Sequence, residues 1–136
     1  MQMTHYTISI IGAGNVGAAL GKGWARAGHN IRYGVTNPVD PKYIATSRTA
    51  GGAAVLSVKE AVDGADVIVL AVPWAAVSDA LAACGDLENK IIIDATNPLE
   101  FGADGLELAI GFTTSGGEEV ARLAKSALVF KRLARN

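Results

Sequence analysis

A glycine-rich turn near the start of the chain combines residue types and a spacing that matter chemically. Residues 12–17 read Gly-Ala-Gly-Asn-Val-Gly, which is the G-x-G-x-x-G pattern. In this pattern the first glycine allows a tight turn, the second lets the backbone approach a pyrophosphate, and the third lets a helix pack closely on a sheet. Unpaired amides and the positive dipole end of that helix attract the anion without a lysine or arginine. The residues of this predicted pyrophosphate site are Gly12, Ala13, Gly14, Asn15, Val16 and Gly17. A tight strand-to-helix turn with no ligand is the alternative.

The segment that ends the second predicted strand contains no acid. Residues 32–37 read Arg-Tyr-Gly-Val-Thr-Asn, and the first carboxylate after them is Asp40, beyond Pro38. A fold that binds NAD usually places Asp or Glu at this strand end, where the carboxylate holds the ribose 2′-hydroxyl. Nothing here would repel a 2′-phosphate, so NADP is favoured over NAD. Thr36 and Asn37 can donate hydrogen bonds to that phosphate, and Arg48 can supply charge from the next loop. A polar turn beside a solvated arginine is the alternative.

Two further segments follow the fourth and fifth predicted strands. They read Ala-Val-Pro-Trp at residues 71–74 and Asp-Ala-Thr-Asn-Pro at residues 94–98. Ligands of open α/β sheets bind outside the carboxyl ends of the strands. The small Ala71 and Val72 would let a dinucleotide lie across this edge, while Pro73 ends the strand. Trp74 is placed either to stack on a flat ring or to pack against the core. The Asn97 amide can reach a carboxamide or a substrate, or it can bond its own backbone.

Groups that catalyse hydrolysis or acyl transfer are missing from the sequence pattern. The chain has two histidines, His5 and His29, and neither lies at a predicted strand end of the site. Its single cysteine, Cys84, cannot form an internal disulfide, and no Cys/His cluster has the spacing of a structural zinc site. Hydride transfer between two redox rings is compatible with this inventory, because the cofactors carry the chemistry and the protein mainly positions them.

The elements that must position these residues alternate between strand and helix. Strand-length apolar runs cover residues 7–11, 30–35, 53–56, 67–72, 90–95 and 127–133. Helix-like stretches cover residues 16–27, 58–62, 75–83 and 118–126. Several strands are apolar at every position, as a strand covered on both faces requires. This pattern predicts a doubly wound, mostly parallel α/β sheet of the Rossmann type, with about six strands in the order 3-2-1-4-5-6. Residues 46–52 fit either a weak helix end or coil.

Composition limits the number of domains and the class of partner. The chain has 136 residues, of which 50% are hydrophobic and 18% charged, a balance that suits a single folded domain over residues 1–136. Its net charge of −1 provides no large attraction to nucleic acid or to a membrane surface. The start of the chain lacks a basic region followed by a long apolar stretch, so we expect a cytoplasmic protein.

These motifs together resemble the deazaflavin-dependent NADP reductase family, over roughly residues 7–130. The resemblance implies that a Rossmann domain binds NADP(H) and passes hydride to or from coenzyme F-420, with a flavin or another small acceptor used by relatives. It places the glycine turn on the pyrophosphate and Thr36 and Asn37 at the 2′-phosphate. It also places residues 71–73 beside the ribose, and Asn97 and Pro98 near the nicotinamide. Such relatives commonly carry arginine where this chain has Thr36.

A second departure from the family concerns length. Family members continue well beyond the final predicted strand, whereas this sequence ends at Asn136. The expectation is that the acceptor-binding part is absent, and that a second copy in a homodimer or a partner chain completes the site. The alternative is a noncatalytic NADP(H)-binding module or sensor. A nucleotide-sugar or methyl-donor domain fits less well, because it leaves the Ala-Val-Pro and Asn-Pro strand ends unexplained.

Overall fold

The computed structural model describes residues 5–87 and 90–96, together with the backbone of residues 128–131. Six strands form one sheet: β1 (Thr7–Ile11), β2 (Asn30–Gly34), β3 (Ala54–Leu56), β4 (Val67–Leu70), β5 (Ile91–Asp94) and β6 (Leu128–Lys131). Their order is β3-β2-β1-β4-β5-β6, and every neighbouring pair is parallel. The predicted doubly wound Rossmann-type sheet is confirmed, including its strand order.

Four α-helices connect these strands within the described residues: α1 (Asn15–Arg26), α2 (Ile44–Thr49), α3 (Val58–Val62) and α4 (Val77–Cys84). Short 3₁₀ turns, Pro41–Tyr43 and Trp74–Ala76, lead into α2 and α4. Of the segment 46–52, which the sequence leaves open between a helix end and coil, residues 46–49 belong to α2 and residues 50–52 follow its end. The predicted helix at 118–126 lies outside the described residues. Among the helices that the structure describes, none has the length and apolar character needed to cross a membrane.

The apolar runs of the strands are explained by helices on both faces of the sheet. Two successive residues of β1 illustrate this, because Ile10 and Ile11 are both buried but belong to different core clusters. Ile10 packs with Tyr33 of β2 on the face that carries α1. Ile11 packs with Leu70 of β4 on the face that carries α3 and α4. A strand between two such layers has no solvent-facing side, which is why its sequence does not alternate with polar residues.

Backbone hydrogen bonds continue past the strand ends and align the carboxyl edge of the sheet. The Gly12 amide donates to the Gly34 carbonyl over 3.0 Å, which ties the glycine turn to the end of β2. The Ala71 amide donates to the Ile11 carbonyl over 2.8 Å, which ties the end of β4 to the same turn. The glycine turn therefore lies between the ends of β2 and β4, at the point where the strand order of the sheet reverses.

Candidate functional site

Gly12 makes the turn out of β1 possible. Its φ of +105° is a conformation that residues with a side chain rarely adopt. A methyl group on its Cα would also lie 2.5 Å from the Ala71 carbonyl oxygen and 3.0 Å from Val72 Cγ1. The first glycine of the motif is thus required by the backbone conformation and by the close approach of β4.

Gly17 brings the first turn of α1 against the turn that precedes it. A methyl group at this position would overlap the Gly12 carbonyl oxygen and lie 3.3 Å from Ile10 Cγ2. Gly17 is buried, as the close packing of helix on strand requires. The third glycine therefore has a structural reason, as the sequence pattern predicts.

Gly14 is different, because the described part of the structure gives no packing reason for a glycine there. Its φ of −77° and ψ of −161° are extended values that any residue adopts. A methyl group added to Gly14 would meet no described heavy atom within 4 Å. Gly14 is exposed, and it is the N-cap residue of α1. The space beside it is open to a ligand that approaches the main chain.

The amides at the start of α1 are available to such a ligand. The first hydrogen bond at the start of the helix runs from the Ala18 amide to the Gly14 carbonyl over 2.8 Å, so the amides before Ala18 precede the helical ladder. Gly14 provides no side-chain cap, and the first turn contains no acidic residue. Asn15 and Val16 are exposed beside it. The N-terminus of this 12-residue helix is therefore a positive, uncapped end that suits an anion.

Thr36 and Asn37 follow β2 at the same edge. Both are exposed, and neither side chain has a hydrogen-bond partner among the described residues. The Asn37 carbonyl accepts from the Asp40 amide over 3.2 Å, which closes a turn through Pro38. The Asp40 carboxylate accepts from the Lys42 amide over 3.0 Å and lies 4.0 Å from the Lys42 ammonium. Asp40, the first acid after β2 in the sequence, is therefore bonded within its own loop, and the side chains of Thr36 and Asn37 remain available to a ligand.

Arg48 lies on α2, in a cleft that does not include the glycine turn. It is exposed in the last turn of α2 and lines a cleft of about 420 Å³. The cleft walls include Tyr43, Ser47 and Val55, together with the turn at residues 38–41. Neither Thr36 nor Asn37 lines this cleft. The structure thus brings Arg48 next to the loop that follows Asn37, but in a separate depression.

The ends of β4 and β5 complete the described edge. Ala71 and Val72 are half-buried, and exposed Pro73 is the N-cap of the 3₁₀ turn Trp74–Ala76. Trp74 packs against the core cluster on the α3 and α4 face, so of its two predicted placements the structure shows packing. The Ala95 amide donates to the Leu70 carbonyl over 2.9 Å, which extends the aligned edge past β5. The predicted Asn97 and Pro98 lie outside the described residues.

Asp94 has a position that sequence reasoning did not assign. It is fully buried at the end of β5, and its carboxylate accepts from the Thr96 amide over 2.9 Å and from the Thr96 hydroxyl. This local Asx turn fixes the direction in which the chain leaves the sheet. The signal was an acid directly after three isoleucines, where a buried strand would otherwise continue.

The role of Gly34 in helix packing was also not predicted. A methyl group there would lie 2.8 Å from Ile11 Cδ1, 3.1 Å from Ala61 Cβ and 3.2 Å from Val58 Cα. The glycine therefore lets α3 approach β2 closely, directly before the strand end that carries Thr36. A glycine inside an apolar strand pattern is the signal for such a close approach.

A family model described as NADP oxidoreductase, coenzyme F420-dependent, matches residues 7–98. The chain belongs to this family. The match begins at β1 and includes the glycine turn, the loop after β2 and the ends of β4 and β5. No sequence among the curated proteins matches the chain significantly.

Solved structures share the fold of this family member. The hypothetical protein SMa0349 from Sinorhizobium meliloti is 27% identical, with a TM-score of 0.73 over 93% of this chain and 60% of its own. A protein from Arthrobacter sp. FB24, assigned as an F420-dependent NADP-reductase, is 26% identical, with a TM-score of 0.72 over 91% of this chain and 60% of its own. The 3-hydroxyisobutyrate dehydrogenase of Mycobacterium tuberculosis is 24% identical, with a TM-score of 0.69 over 98% of this chain and 42% of its own; it shows the fold alone. The chain thus spans less than two thirds of the length of these relatives.

Among the described residues of this oxidoreductase-family chain, the titratable groups near the core include a buried thiol but no metal-binding cluster. Cys84 is buried at the end of α4, and burial raises the pKa of its thiol to about 11, so the thiol is protonated at neutral pH. Within the described ranges, no group of three or more His, Cys, Asp or Glu side chains could hold a metal ion. The chemistry that the described edge supports is the binding and orientation of a ligand.

Proposed function

We propose that this chain binds NADP(H) along the carboxyl edge of its sheet. The observation that carries the proposal is the open space beside Gly14, next to the uncapped N-terminus of α1. Gly12 and Gly17 are explained by the fold itself, whereas Gly14 is explained by a ligand that must approach the backbone. A pyrophosphate fits this position, because it carries the negative charge that the helix end attracts and leaves no room for a side chain.

The other predicted residues have roles along the same ligand. The turn at residues 12–17 would hold the pyrophosphate through main-chain amides. Thr36 and Asn37 would donate to the 2′-phosphate, with Arg48 supplying charge from α2. Residues 71–73 would flank the ribose, and Asn97 and Pro98 would lie beside the nicotinamide, as the family resemblance implies. The preference for NADP over NAD rests on the engaged carboxylate of Asp40 and on the free side chains of Thr36 and Asn37.

We propose further that the chain takes part in hydride transfer to or from a deazaflavin such as coenzyme F-420, a flavin or another small acceptor. Membership in the NADP oxidoreductase family supports this reaction class, and one relative is assigned as an F420-dependent NADP-reductase. When bound, the dinucleotide would supply or accept the hydride. The residues of this chain would hold its nicotinamide end at a fixed position and distance from the acceptor. A second copy of the chain or a partner chain would provide the other wall of the acceptor site.

A second candidate is a noncatalytic NADP(H)-binding module or sensor, because the features of the described edge concern the binding of a dinucleotide. The similarity covers 60% of the SMa0349 chain and 60% of the Arthrobacter relative, so it does not extend to the whole of either protein. Under both candidates, we treat residues 1–136 as one domain and place the protein in the cytoplasm, a reducing compartment that suits the free thiol of Cys84.

Titration calorimetry with NADPH and NADH tests the binding site through two substitutions at Gly14. Gly14→Val and Gly14→Ser both add a side chain into the space that the ligand would use. Serine is a favoured N-cap residue, so Gly14→Ser should keep or raise the melting temperature. We expect both variants to lose affinity for both dinucleotides. Unchanged affinity in a folded Gly14→Ser variant would refute the assigned pyrophosphate position.

Absorbance at the nicotinamide band separates the enzyme from the sensor. Wild-type protein is mixed with NADPH and with a deazaflavin, a flavin or a quinone in turn. Oxidation of NADPH by one of these acceptors supports hydride transfer. Tight binding of NADPH without oxidation by any of them favours the noncatalytic module.

A further inference from the structure

Tyr33 of β2 contacts α1, and these two elements lead to the two halves of the proposed site: the Thr36–Asn37 segment and the pyrophosphate turn. It lies in β2, is fully buried, and its hydroxyl donates to the Gly17 carbonyl of α1 over 3.4 Å. Burial raises the pKa of this phenol, so the hydroxyl stays protonated and remains a donor at neutral pH. The helix that begins at the pyrophosphate turn is therefore in contact with the strand that leads to Thr36 and Asn37.

The helix receives the Tyr33 ring at Gly21. A methyl group on Gly21 would overlap the Tyr33 hydroxyl oxygen and would lie 2.8 Å from ring carbon Cζ. Glycine is a poor helix former, so its presence in the middle of α1 needs a structural reason. The hydroxyl of Tyr33 provides that reason. At Gly23, two residues further along the same helix, an added methyl group would meet no described heavy atom within 4 Å, so the helix tolerates a side chain there.

This contact determines how far α1 stands from β2. A larger residue at position 21 would push the helix outward, whereas a shorter residue at position 33 would remove the support beneath it. Because Gly17 and Gly14 lie in or next to the first turn of the same helix, a shift of α1 moves the exposed amides. Thr36 and Asn37 would stay behind, since β2 is held by its pairing with β1 and β3.

We propose that Tyr33, seated against Gly21, is a positioning residue that sets the spacing between the α1 amides and the Thr36–Asn37 segment. The proposal rests on the NADP(H) function above, and it concerns how one ligand engages both places at once. NADPH, which carries the 2′-phosphate, would use both. NADH would use the pyrophosphate turn, but its binding would not depend on the distance between that turn and Thr36 and Asn37.

The test compares four variants with one control, using calorimetric Kd values for NADPH and NADH at a temperature where circular dichroism shows each protein folded. The variants are Tyr33→Phe, Tyr33→Leu, Gly21→Ala and the double variant Gly21→Ala/Tyr33→Leu. The control is Gly23→Ala, which changes the composition of the helix without a new contact. Tyr33→Phe removes one oxygen atom and keeps the ring, so it carries the test if Gly21→Ala does not fold.

We expect Tyr33→Phe, Tyr33→Leu and Gly21→Ala to weaken NADPH binding by about tenfold, with a smaller loss for NADH. The double variant should regain most of the NADPH affinity that Gly21→Ala alone loses, because leucine at position 33 leaves room for the added methyl group. Gly23→Ala should bind both dinucleotides as the wild type does.

Two outcomes would overturn the proposal while leaving the function intact. In the first, folded Tyr33→Phe and Gly21→Ala proteins bind NADPH within about twofold of the wild type. In the second, NADPH and NADH affinities fall equally, which would show a general structural defect and not a changed spacing between the α1 amides and the Thr36–Asn37 segment. If the wild-type protein bound neither dinucleotide, the proposed function and this inference would both fail.

Discussion

Replacing Gly17 by alanine tests whether the helix is held against the glycine turn as described. The new methyl group would overlap the Gly12 carbonyl oxygen and would lie 3.1 Å from the Gly12 carbonyl carbon and 3.3 Å from Ile10 Cγ2. These neighbours cannot yield easily, because two of the three atoms belong to the backbone of a turn that is itself bonded to Gly34. Overpacking of this kind costs about 1–3 kcal/mol, and alanine regains about 1 kcal/mol through its higher helix propensity.

The expected net loss for Gly17→Ala is therefore up to about 2 kcal/mol in the free energy of unfolding, measured by urea denaturation. Gly23→Ala is the matched control in the same helix. Its methyl group would meet no described atom within 4 Å, so it should gain up to about 1 kcal/mol. Equal stabilities for the two variants would refute the close approach of α1 to the turn, and with it the geometry of the proposed pyrophosphate site.

Three further predictions concern the α3 cap, the buried thiol and the phosphate loop. Ser57 caps α3 by accepting from the Glu60 amide over 3.2 Å, so Ser57→Ala should cost about 1 kcal/mol in urea unfolding while Ser57→Thr should not. Burial raises the pKa of Cys84 from 9.0 to about 11, so the folded state retains a proton that the unfolded state loses. Stability should therefore fall between these two pH values by no more than about 2 kcal/mol, and a Cys84→Ala variant with the same fall would contradict this assignment. Thr36→Glu should weaken NADPH binding more than NADH binding, by about 1 kcal/mol or more in calorimetry, because a carboxylate repels the 2′-phosphate; equal losses would show that this loop does not recognise the phosphate.

Much of the fold could be predicted because its signals are local. The strand at Thr7–Ile11 and the helix at Val58–Val62 have the bounds expected from the sequence. Other strands differ by one or two residues at their ends, as at β4, where the apolar run reaches Val72 but the strand ends at Leu70. The helix Ile44–Thr49 was harder to predict, because it depends on the Asp40 cap of the preceding 3₁₀ turn and on the hydrogen bonds between Ser47 and Ala53.

The candidate site likewise has a part with local sequence signals and a part that depends on contacts between distant residues. The glycine turn is recognisable because a tight turn, a close backbone approach and a helix start impose their requirements on consecutive residues. The contact of Tyr33 with Gly21 joins residues on different elements and depends on how α1 lies across β2. The close approach at Gly34 depends likewise on α3. The contact of Tyr33 leaves no motif in the sequence, and the glycine at position 34 signals a close approach without indicating which helix makes it. The separate cleft at Arg48 is also a property of the folded loop and not of the spacing between Asn37 and Arg48.

The central place of β1 affects the order in which the chain can fold during synthesis. Of the six described strands, the first to be synthesised is β1, which lies inside the sheet, and its two neighbours, β2 and β4, end at Gly34 and Leu70. The half built from β1, β2 and β3 can associate while later residues are still being added, but one long side of β1 stays unpaired until β4 emerges. A nascent chain that stalls in this interval would present an open strand edge, and that edge is where a chaperone or an aggregating partner would attach.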